Sequence, residues 1–84
     1  MKILESIEQT CGACPESWSG KLTTGEIVYA RMRWGYGYLD IDDITVAEYS
    51  VPDDTYLGMF PEGELKRMFE SADIYTGSLL DKNY

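Results

Sequence analysis

From Glu26 to Asp42 the chain alternates apolar and polar residues on both sides of the dipeptide Gly35-Tyr36, and this alternation restricts the fold more than any other feature. Successive side chains of a β-strand point to opposite faces, so a period of two is what a half-buried strand requires. If Gly35-Tyr36 is a two-residue turn, Trp34 pairs with Gly37, Arg33 with Tyr38, Met32 with Leu39, Arg31 with Asp40 and Ala30 with Ile41. Two faces then separate. Val28, Ala30, Met32, Trp34, Leu39 and Ile41 form a core face, while Tyr29, Arg31, Arg33, Tyr38, Asp40 and Asp42 form the other.

Neighbouring segments extend this hairpin. A turn at Thr23–Gly25 joins strands Trp18–Leu22 and Glu26–Trp34, and Gly37–Asp42 continues the meander. Ile44–Val51 reads as a further strand, with Ile44, Val46 and Glu48 alternating against Thr45, Ala47 and Tyr49, closed by a turn at Pro52-Asp53-Asp54. Beyond it, Leu65, Met68, Phe69 and Ala72 recur at helical spacing, Pro61 suits a first turn, and Glu62 and Glu64 suit a positive helix start, which predicts a helix from Pro61 to Ala72. Lys2–Gln9 fits an edge strand or a short helix, with the strand favoured; Leu79-Leu80 is expected to pack back on the sheet, and Asp81–Tyr84 to fray. At 84 residues there is room for one core. The expectation is a single α+β domain over 1–84, a four- or five-stranded antiparallel β-meander packed by one α-helix.

Charge narrows the function classes. Fifteen Asp and Glu face seven Lys and Arg, for a net charge of −8, and a field of that sign repels phosphate backbones while attracting basic proteins. Direct nucleic-acid binding is therefore not expected, and a basic nucleic-acid-binding protein is the favoured partner. No Lys or Arg occurs between Trp34 and Leu65, whereas Asp40, Asp42, Asp43, Glu48, Asp53, Asp54, Glu62 and Glu64 fall in that stretch. Acids at alternate strand positions stand about 7 Å apart, close to the phosphate spacing of a DNA strand. Such a row can occupy a basic groove; the plainer reading is solubility and protection of a sheet edge. Tyr29, Arg31, Arg33 and Tyr38 share the polar strand face, and Tyr and Arg are enriched where proteins bind each other.

Catalysis finds little support. The chain has no histidine, which removes the common nucleophilic triads, and Gly35 and Gly37 belong to a hairpin and not to a phosphate-binding helix start. Neither an enzyme nor a cofactor is expected. Cys11 and Cys14 form a C-x-x-C, a spacing that can bind a metal or make a redox pair, but a tetrahedral zinc site needs four ligands. A metal shared across a homodimer and a redox pair are two readings; structural or incidental thiols are the third. Asp40, Asp42 and Asp43 do not form an EF-hand, because Ile44 stands where that loop needs a polar ligand. Met1–Thr10 holds Glu5 and Glu8 and no apolar run, so neither a signal peptide nor a membrane span is expected, and the location expected is cytoplasmic.

The run Cys14-Pro15, Trp18-x-Gly20, Leu22, Gly25 and Tyr29-x-Arg31-x-Arg33-Trp34-Gly35 resembles a pattern found in small uncharacterised proteins of tailed phages and some actinobacteria. It spans about a quarter of the chain. The resemblance implies a phage accessory protein acting in the host cytoplasm and carries over no catalytic residue. By size and acidity the chain is also similar to inhibitors of host defence, the anti-restriction and anti-CRISPR proteins, which implies stoichiometric inhibition of a nucleic-acid-binding complex through DNA mimicry.

Overall fold

A computed structural model describes residues 1–12, 16–33, 35–50, 60–61 and 63–80. The expectations placed on Cys14, Trp34, Pro52-Asp53-Asp54, Glu62 and Asp81–Tyr84 lie outside the described residues. Among the described residues, six strands and one helix follow in the order β1 (Lys2–Cys11), β2 (Glu16–Leu22), β3 (Ile27–Arg33), β4 (Tyr36–Ile41), β5 (Ile44–Ser50), α1 (Glu64–Ser71) and β6 (Ile74–Tyr75). They form one sheet in the order β5-β4-β3-β2-β1-β6. The first five strands make the antiparallel meander that the alternation requires. The sixth exceeds the expected count: Ile74 and Tyr75 pair in parallel with Lys2 and Ile3, and two residues are too few for any periodicity to reveal.

The sheet's apolar face carries Leu4, Trp18, Leu22, Val28, Ala30 and Leu39, and α1 lays Leu65, Met68 and Phe69 on it, with Ile74 and Leu80 completing the cluster. Leu80 thus packs back as expected, while Leu79 is exposed. Three side chains at i, i+3 and i+4 give α1 its single buried stripe. The helix touches both β5 and β6, the two edges of the sheet. Six flat strands span about 24 Å edge to edge and a helix is only about 10 Å wide; both edges therefore meet α1 because the sheet curls around it.

The helix begins later than its spacing suggests. Gly63 is its N-cap, with a left-handed φ of 80°, and the Glu64 amide bonds the Pro61 carbonyl across a turn at 3.0 Å. Pro61 therefore lies in the approach to the helix, and Ala72 caps its C-terminus.

The central hairpin also turns one residue earlier than expected. Arg33 pairs with Tyr36, so the turn closes before Tyr36, and Gly35 supplies the positive φ of 75° that a tight hairpin turn demands. Tyr36 is thereby released into β4. The register moves by two, which changes every partner and preserves both faces: Arg31 stands opposite Tyr38 and Tyr29 opposite Asp40, in place of the expected Arg31–Asp40 pair.

Candidate functional site

The β4–β5 turn is built by Asp42 and Asp43. Ile41 pairs with Ile44, leaving two residues whose φ values are 48° and 70°. Both angles lie in the left-handed region that a type I′ turn requires and that Asp tolerates better than most residues. The Asp42 Oδ1 accepts from the Ile27 amide at 2.9 Å, and the Asp42 amide donates to the Ile27 carbonyl at 2.9 Å. This residue therefore locks the start of β3 as well as forming the turn.

A bulge then changes the facing of β5. Asp40 pairs with Thr45 and Leu39 with Ala47, so Val46 is the extra residue. The regular Ile44–Val46–Glu48 face is not formed, because the bulge reverses the parity of the strand at Val46. Thr45 and Glu48 consequently share the polar face, and the Thr45 hydroxyl donates to Asp40 Oδ1 at 2.7 Å. Ala47 and Tyr49 turn to the core.

On the polar face the pairing gives three rows: Tyr29–Asp40–Thr45, Arg31–Tyr38–Glu48 and Arg33–Tyr36–Ser50. The tyrosines run diagonally through them. Ring centres of Tyr29 and Tyr38 are 6.2 Å apart, and those of Tyr38 and Tyr36 are 6.0 Å apart. Arg31 and Arg33 lie on one side of this ridge, and Asp40, Glu48 and the Asp42-Asp43 turn on the other. The Tyr36 hydroxyl donates to Glu48 Oε1 at 2.6 Å. That bond, with a smaller contribution from burial and from the charges of Glu48 and Asp40, pushes the Tyr36 phenol up from its ordinary 10.0 to about 12. At the turn end, Ile27, Tyr29, Asp40, Asp42 and Asp43 line a shallow depression.

No described element packs on this face. The helix covers the opposite one; Tyr29, Arg31 and Tyr38 are half-buried, and Arg33 and Tyr36 are exposed. Among the described residues, the ion pairs lie elsewhere: the Met1 amino group with Asp73 at 3.7 Å, Lys2–Glu26 at 2.5 Å, Lys21–Glu5 at 3.3 Å and Arg67 with Glu64. Asp40, Asp42, Asp43 and Glu48 have no described cation within ion-pair distance. Asp53 and Asp54 lie outside the described residues. Tyr36 belongs to the face although the sequence reading placed it in the turn; its position after Gly35 was the available signal.

A second polar centre was not read from the sequence. Glu16 is buried on the core face of β2, 5% exposed. Trp18 Nε1 donates to its Oε2 at 2.5 Å, the Phe60 amide to its Oε1 at 2.8 Å, and Gln9 Nε2 to Oε2 at 3.4 Å. The carboxylate ties the chain just before the helix to the sheet. One of its partners, Phe60, lies 44 positions away, which no local pattern encodes.

Cys11 ends β1 and is exposed, and Cys14 lies outside the described residues. Among the described residues no group of three or more Cys, Asp or Glu is arranged to hold a metal ion, and no helix is long and apolar enough to cross a membrane. No family model, no curated protein and no solved structure matches the chain.

Proposed function

We propose that this protein works by stoichiometric binding through the helix-free face of β3–β5, and that its partner is a basic, nucleic-acid-binding protein whose cationic groove takes up the carboxylates. The observation that supports this reading is the grouping of Asp40, Asp42, Asp43 and Glu48 on one side of the tyrosine ridge with no described cation paired to them. Unpaired carboxylates project a field that steers a basic partner and is screened by salt. An inhibitor of a host nucleic-acid-binding complex, of the kind a phage encodes, fits this surface and the resemblance of the Cys14–Gly35 run.

The test is capture from a host lysate with the wild-type chain and with Asp40, Asp42 and Asp43 all replaced by Asn, at two ionic strengths. A nucleic-acid-binding protein retained by the wild type, released by salt and by the triple substitution, and unable to hold labelled DNA while bound, is the expected result. Retention indifferent to salt and to the substitutions defeats the reading.

A further inference from the structure

We infer that the tyrosine ridge and the depression at its end form a docking surface for an arginine-bearing extended segment of the partner, with arginine recognised in preference to lysine. This rests on the basic-partner reading above and specifies its chemistry. Three observations converge on it. First, Tyr29, Tyr38 and Tyr36 stand on one face at 6.2 and 6.0 Å spacings, a separation too small to admit a planar group between neighbouring rings, so a guanidinium lies over the ridge, where cation–π attraction acts. Second, the acceptors are held in place beforehand. Asp40 Oδ1 is bound by Thr45, Asp42 Oδ1 by the Ile27 amide and Glu48 Oε1 by Tyr36. Each second carboxylate oxygen is left without a bond to a described residue.

Third, the depression joins an exposed aliphatic wall, Ile27, to an aromatic one, Tyr29, with Asp40, Asp42 and Asp43 around them. An arginine side chain matches all three parts, with its stem on Ile27, its plane on Tyr29 and its forked donors on the carboxylates. Lysine supplies the charge without the plane or the fork. Charge complementarity commits the occupant further. Arg31 and Arg33 border the ridge on the β2 side, so incoming cations are directed to the Asp40 and Glu48 side.

The experiment uses synthetic Arg-Gly and Lys-Gly repeat peptides of equal length and charge, titrated calorimetrically and by amide chemical shift into the full chain. The Arg-Gly peptide should bind about tenfold tighter, the product of roughly two exposed cation–π contacts, with shifts at Ile27, Tyr29, Tyr36, Tyr38 and Asp40. Replacing Tyr29 and Tyr38 by Leu should bring the Arg-Gly affinity down to that of Lys-Gly, and replacing both by Phe should preserve it. Arg31→Glu, which leaves the ridge intact, should tighten both peptides. Equal affinity of the two peptides overturns the arginine preference and leaves the basic-partner reading standing. Failure of both peptides to bind overturns both readings.

Discussion

Replacing Glu16 by alanine removes a buried carboxylate and strands the donors that converge on it. Trp18 is 3% exposed, so its indole N–H would lose its 2.5 Å carboxylate bond with little access to water. A buried donor deprived of its acceptor costs about 1–3 kcal/mol, and the indole should lie in the middle of that range, about 2 kcal/mol. The Phe60 amide is half-buried, so water can replace part of its 2.8 Å bond and its loss should cost about 1 kcal/mol. The bond from Gln9 at 3.4 Å adds little. The total is about 3 kcal/mol, a large share of the roughly 4–12 kcal/mol expected for a domain of this length. Glu16→Gln keeps one acceptor and sets its new NH₂ against a donor, so it should cost about half as much, ~1.5 kcal/mol. Urea unfolding followed by tryptophan fluorescence measures both. If Glu16→Ala lies within about 0.5 kcal/mol of wild type, the size expected of an inconsequential surface change, Glu16 does not join the two parts of the fold as described.

Other perturbations discriminate further features. A Cβ on Gly20 would come within 2.1 Å of the Ser6 carbonyl oxygen, whereas one on Gly37 would meet the Met32 sulfur at 2.8 Å and the Phe60 ring at 3.0 Å. Gly20→Ala must displace backbone and should cost about 3 kcal/mol or more; Gly37→Ala meets movable side chains and should cost about 1 kcal/mol, an order that thermal melts would reverse if the β1–β2 approach were looser. Asp43, at a φ of 70°, should gain about 0.5 kcal/mol on replacement by glycine while weakening any basic partner, so stability and binding should move in opposite directions. Tyr36 has its pKa raised to about 12, first by the bond to Glu48. Because the folded value exceeds the unfolded one, the stabilisation is fully present below pH 10.0 and is lost as pH rises through about 12. Ultraviolet titration should show a late phenol that disappears in Tyr36→Phe; an unchanged titration refutes the Tyr36–Glu48 bond.

Much of this architecture follows from short-range pattern. The separation of Val28, Ala30, Met32 and Leu39 from Tyr29, Arg31, Tyr38 and Asp40 survives a register different from the expected one, because a shift of two residues moves partners without moving faces. The amphipathic stripe of Leu65, Met68 and Phe69 likewise identifies the helix. Its start was less legible, since Pro61 and the following acids fit a first turn equally well and only the backbone at Gly63 separates the turn from the helix.

The candidate face shows the same division. Its residue types were apparent from alternation; its membership was not. Tyr36 enters β4 because Gly35 can take the left-handed position, and Glu48 joins Thr45 because a bulge at Val46 reverses the strand's parity. The sequence by itself determined a small acidic sheet-and-helix domain with one apolar and one Tyr/Arg/Asp face, because side-chain direction in a strand or helix is a local property. Which of those faces α1 covers, where Glu16 finds its acceptor role, and the parallel pairing of Ile74-Tyr75 with Lys2-Ile3 were decided by the tertiary structure. Each depends on contacts between residues distant along the chain, formed when the sheet curls to bury one common core.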